Sequence, residues 1–169
     1  RHVESCPERQ LRGRLMARRS ILAIEMCLHF DPNVQSYMQQ LVRAAGQQLS
    51  FQEKWQVYDQ AARCLMANKH LWQKGCWDFF DDDTRARSDF NMWVHGMTSL
   101  EGARQQPSGA PDPYRGGARF MTFTMAVLLV NGSQSERRLC HVCEIPEPYL
   151  WQAATFERIL QGLRYLNFA

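Results

Sequence analysis

The chain has 169 residues, of which 45% are hydrophobic, and a net charge of +3. That length suits one domain able to bury a proper core, and the apolar content excludes a disordered chain. A surplus of three positive charges is too small to imply a nucleic-acid partner, and no apolar run reaches the roughly 18 residues that spanning a bilayer requires.

Residues Pro7–Phe30 read as a helix, because Leu11, Leu15, Leu22 and Met26 keep helical spacing. From Ile21 to Leu28 the segment is apolar almost all round. Its first half carries Arg9, Arg12, Arg14, Arg18 and Arg19. A solvated helix start explains these better than an anionic membrane or nucleic-acid contact, since no aromatic residue accompanies them for stacking or insertion.

Asp31-Pro32 then supplies an N-cap and a proline at the first helical position. Val34, Met38, Leu41, Val42 and Ala45 form the inward stripe of that helix, and Gly46 ends it. Ser50 and Glu53 have the spacing of a capping box, opening a helix with Trp55, Tyr58, Ala62 and Leu65 on one face.

The stretch His70–Phe80 gathers Trp72, Trp77, Phe79 and Phe80 around Gly75, as a core plug or as an aromatic binding surface. Asp81, Asp82 and Asp83 precede a helix over Thr84–Ala103, with Phe90, Trp93, Val94 and Met97 on one face. Capping and the helix dipole account for the three carboxylates; the alternating ligands of a calcium loop are missing. Gln105–Gly117, with three prolines and three glycines, is a linker inside the domain.

Phe120–Val130 contains no charge, glycine or proline, and its β-branched and aromatic content predicts a strand. One face carries Met121, Phe123, Met125, Val127 and Leu129 and is expected to be core. The other carries Phe120, Thr122, Thr124, Ala126 and Leu128 and is expected to be partly covered. Asn131-Gly132-Ser133 tolerates a turn, so Arg138–Ile145 reads as the return strand of a β-hairpin, stopped by Pro146 and Pro148. Pro148–Leu166 is an amphipathic helix with Ala153, Phe156, Ile159, Leu160, Leu163 and Leu166 inward. Gln152, Glu157, Arg158, Gln161 and Arg164 face outward.

The predicted fold is a single α+β domain spanning residues 1–169: about four helices within 7–103, a Pro/Gly-rich loop over 105–117, and a hairpin packed under a C-terminal helix over 119–168. Two strands rarely make a stable sheet. A third would come from residues beyond Ala169, from another chain, or from Ile21–Leu28. A chain that begins at Arg1 and ends directly after an apolar helix is expected to be excised from a longer protein. Segments outside it could then bring it close to a membrane.

The element order resembles that of an uncharacterised cyanobacterial and plastid family known as a domain of unknown function. Cys64–Trp72, Phe120–Val130 and Thr155–Leu166 are the matching pieces. The Cys-His-Val-Cys segment and the long linker depart from that family, which also continues into a further strand. The resemblance implies a membrane-tethered domain without known catalysis and assigns no functional residue.

Chemistry-bearing motifs are few. Cys140-His141-Val142-Cys143 offers soft ligands for zinc through Cys140, His141 and Cys143, but a regular strand would point the two thiols to opposite faces. The other cysteines are dispersed, as expected for reduced thiols in a cytosol-like compartment. No Gly-x-Ser-x-Gly elbow or Walker loop occurs, and the five histidines show no partner spacing. The expected function is therefore non-catalytic: a protein-interaction or assembly domain, acting on a protein partner or by self-association. Phe120, Thr122, Thr124, Trp72 and Trp77 form its expected surface, with a zinc or thiol function at Cys140–Cys143 as the alternative.

Overall fold

The computed structural model describes residues 18–98 and 119–167, and for 93–98 the backbone alone. Along that chain lie β1 (Arg19–His29), α1 (Pro32–Ala45), α2 (Phe51–Ala67), β2 (Trp72–Phe80), α3 (Asp83–Thr98), β3 (Phe120–Val130), α4 (Gln134–Leu139) and α5 (Ala153–Leu163). Short 3₁₀ turns occupy Lys69–Leu71, Cys140–Glu144 and Glu147–Tyr149. The sheet is antiparallel with order β2-β1-β3, so the first strand in sequence is the central one.

This corrects the helix expected over Pro7–Phe30: Arg19–His29 is a strand, and of the three sources weighed for a third strand it is Ile21–Leu28 that supplies it. A central strand covered on both faces is apolar at successive positions, and that removes the alternation by which strands are recognised. Leu22, Ile24, Met26 and Leu28 enter the main core on one face, while Ile21 and Ala23 are buried on the other. Residues 1–17, with Arg9, Arg12 and Arg14, lie outside the described residues, as does the Gln105–Gly117 linker.

Helices α2, α4 and α5, with α1 at one side, close the front of the sheet. The stripe expected for α5 is observed at Phe156, Ile159, Leu160 and Leu163, continued by Leu166, but Ala153 is exposed and the helix is shorter than Pro148–Leu166. Pro148 sits in the preceding 3₁₀ turn. Gly75 on β2 is required by the close approach of α5. A Cβ there would stand 2.6 Å from Cε1 of Phe156.

On the back of the sheet, α3 packs over β1 and β3, with Ala86 fully buried and the Arg85 guanidinium 3.6 Å from the centre of the Phe80 ring. Asp82 caps this helix by accepting from the Arg85 amide at 2.9 Å. The Asp83 carboxylate accepts from the Arg19 amide at 2.6 Å and from Arg87 Nε at 3.0 Å. Capping thus accounts for Asp82, while Asp83 ties the start of the helix to β1 and pairs with Arg87. The caps at Asp31 and Ser50 also form as the sequence predicts, the latter as a full capping box.

The predicted hairpin does not form. Among the described residues Gly132 alone adopts positive φ (+78°), and Ser133 accepts from the Glu136 amide at 3.1 Å to cap α4. The Ser133-Gln134-Ser135-Glu136 signature is the same Ser-x-x-Glu pattern recognised at Ser50, and it marks a helix start. Beyond it, the buried residues are Leu139, Val142 and Ile145, a spacing of three that belongs to a 3₁₀ turn and not to a strand. Cys140, His141 and Cys143 therefore lie on a turn, not on the strand the sequence suggested.

Candidate functional site

Strand β3 pairs with β1 without interruption from Arg19 opposite Val130 to His29 opposite Phe120. Flanking bonds set the phase of the ladder: Phe30 N–H donates to the Arg119 carbonyl and Asn131 N–H to the Arg18 carbonyl, both at 2.9 Å. Odd-numbered residues of β3 therefore direct N–H and C=O at β1, and even-numbered ones direct them away from the sheet. On that outer edge the Ala126 carbonyl accepts from the Tyr58 hydroxyl at 2.6 Å, and the Val130 carbonyl accepts from the Ser133 amide at 3.0 Å. The main-chain groups of Phe120, Thr122 and Thr124 meet no partner among the described residues.

An apolar groove of about 310 Å³ runs beside these residues on the front of the sheet. Its walls are Val34, Met38 and Val42 of α1 against Leu28, Met121 and Phe123 of the sheet, with Arg43 at the rim. Val42 was expected to point inward with the helix stripe. It is instead 58% exposed, and Ala45 is exposed too, because α1 packs chiefly against α2 and that side of the helix is left uncovered among the described residues. Sequence reasoning missed this groove; the two apolar stripes that bound it were visible, but not the gap between them.

On the back, Thr122 and Thr124 share a face with Glu25, Cys27, Lys74 and Cys76, all half-buried or exposed. Thr124 Oγ1 donates to Glu25 Oε2 at 3.1 Å, and Phe120 stacks on His29 with ring centres 5.2 Å apart. Burial, reinforced by the Glu25 and Asp78 carboxylates, pushes the Cys76 thiol above its ordinary range, so it is a protonated and poor nucleophile near neutral pH.

The five expected surface residues do not form one patch. Phe120, Thr122 and Thr124 sit together on β3. Trp72 and Trp77 lie across the sheet on β2, where their indole N–H groups donate to the Leu65 and Leu150 carbonyls at 2.9 Å. A second cleft of about 480 Å³ opens there between Trp77, Phe79, Ile145 and Trp151. The β2 margin is interrupted by a register shift opposite Cys27 and Leu28, and it carries Lys74 and Asp78, features that discourage strand addition. Strand β3 has no charge, proline, glycine or bulge in eleven residues.

His141 is half-buried and Cys143 exposed, while Cys140 Sγ donates to the Arg137 carbonyl at 3.5 Å. Among the described residues, no three His, Cys, Asp or Glu side chains are grouped to hold a metal ion, and no helix is long and apolar enough to cross a membrane. No family model, curated protein or solved structure matches this chain.

Proposed function

We propose that this domain is a protein-interaction module that takes up an extended segment of a partner along the outer edge of β3. The observation that carries this reading is the conjunction of two features at one place. Outward main-chain donors and acceptors at Phe120, Thr122 and Thr124 lie directly beside an apolar groove against α1. A strand added there gains ladder hydrogen bonds from the edge, and every second side chain enters the groove, which gives affinity and selectivity separately.

A display library of random nine-residue peptides tests the reading. Selection on the wild-type domain should enrich sequences with apolar residues at alternate positions. Their binding should fall at least tenfold with Thr122→Pro, which removes an outward N–H. Peptides that bind Thr122→Pro and wild type equally, or no enrichment at all, would sink the proposal.

A further inference from the structure

The outer edge of β3, which pairs with no strand among the described residues, is self-complementary in sequence. Met121-Thr122-Phe123-Thr124-Met125 reads the same in both directions about Phe123. Phe123 directs its own N–H and C=O at β1, while Thr122 and Thr124 direct theirs outward. A two-fold axis at Phe123 therefore sets like residues opposite one another, and the outward groups of Thr122 and Thr124 are in phase for the ladder of that antiparallel pairing.

Resting on the reading above, we propose that the segment taken up by β3 is the β3 strand of a second copy of this chain, paired antiparallel about a two-fold axis at Phe123. In that register Thr122 faces Thr124 of the second copy, and each such pair exchanges both main-chain hydrogen bonds. The threonine side chains meet on the back face, a favourable cross-strand combination. On the front, the two Phe123 rings meet at the axis, and Met121 faces Met125 of the copy beside the α1 groove.

Two further observations support a copy over an unrelated segment. The stretch from Phe120 to Val130 carries no charge, so pairing it with itself brings no like charges together. The Tyr58 hydroxyl occupies the Ala126 carbonyl, so the open edge ends where the symmetric stretch ends. The two-fold operation makes the interface isologous and closed, giving a dimer and not a fibre.

Light scattering across a concentration series, in reductant, reads the first consequence: wild type should move from one to two chain masses, and Thr122→Pro should stay at one. Mild oxidation of Phe123→Cys reads the register. Opposed positions without mutual hydrogen bonds bring Cα atoms within disulfide range, so a 123–123 cross-link, mapped by mass spectrometry against wild type treated in parallel, should dominate. Because Phe123 is half-buried, Thr122→Cys mixed with Thr124→Cys provides an independent check. It should give the mixed 122–124 cross-link in excess over either self-link. A wild type that remains one chain mass throughout overturns self-pairing. If the peptide library is still enriched in that case, the strand-uptake reading stands and only its occupant was wrong; if neither occurs, both fall. A dominant 122–122 link would overturn the register.

Discussion

The Tyr58 hydroxyl donates to the Ala126 carbonyl at 2.6 Å, reaching from α2 to the outer edge of β3. That bond satisfies a main-chain group that β1 cannot reach and bounds the stretch of edge that meets no partner among the described residues. Shielding from water pushes the phenol up to about 12 from its ordinary 10.0. The unfolded chain ionises first, so stability from this group is fully present below pH 10 and is lost as pH rises from about 10 to about 12. Tyr58→Phe should cost about 1 kcal/mol in urea denaturation near neutral pH and flatten the alkaline loss of stability over that window. An unchanged alkaline limb would show that the phenol is not held in this way.

The phase of the β3 ladder gives a sharp contrast between neighbours. Thr122 directs its N–H outward, so Thr122→Pro should leave the β1–β3 ladder intact and cost less than about 1 kcal/mol. Phe123 directs its N–H at Met26, its partner in the register, so Phe123→Pro should cost at least about 1–3 kcal/mol by leaving the Met26 carbonyl unsatisfied. Equal losses in thermal melts would mean that the phase is wrong.

Gly75 and Phe156 form a second diagnostic pair. A Cβ at position 75 would meet Cε1 of Phe156 at 2.6 Å and the Glu25 carbonyl at 3.2 Å. Gly75→Ala should destabilise by about 1–3 kcal/mol through overpacking. In a Phe156→Leu background the ring is gone, and the same substitution should cost less than half as much. Additive losses in the double-mutant cycle would show that the two positions do not press on each other.

Buried Asp59 accepts from Arg164 Nε at 3.0 Å and Arg63 Nε at 2.9 Å, and the Trp55 indole donates to the Arg164 carbonyl at 2.8 Å. This cluster ties α2 to the chain after α5. Asp59→Asn should cost about 1.5–3 kcal/mol, because a charge-assisted bond to the half-buried Arg164 is weakened. Arg63→Met should cost less than about 1 kcal/mol, since Arg63 is mostly exposed and its pair with Asp59 is solvated on one side. Chemical denaturation of the two variants separates these cases.

Local signals in the sequence were reliable where the physics is local. Asp31-Pro32 and Ser50 with Glu53 cap their helices within a few residues, and both are seen in the structure as the pattern predicts. The two faces of Phe120–Val130 were also legible, because alternation along a strand needs no knowledge of its neighbours: Met125, Val127 and Leu129 are in the core, and Thr122 is outside it. The signature at Ser133 is equally local, but the Asn-Gly beside it reads as a turn, and a turn there implies the return strand over Arg138–Ile145 that does not form.

The sequence by itself determined an α+β fold, the helix caps at Asp31 and Ser50, the two faces of β3 and the apolar stripe of α5. Ile21–Leu28 was one of three sources for a third strand, and tertiary structure decided that Arg19–His29 is that strand and the central one, because a segment buried on both faces loses its period. It also decided which margin of the sheet meets no further strand among the described residues. Whether a strand lies at an edge, which of its amides face outward, and whether a groove runs beside it depend on partners far along the chain: β1 by register, Tyr58 by one hydroxyl, and α1 by lining the groove.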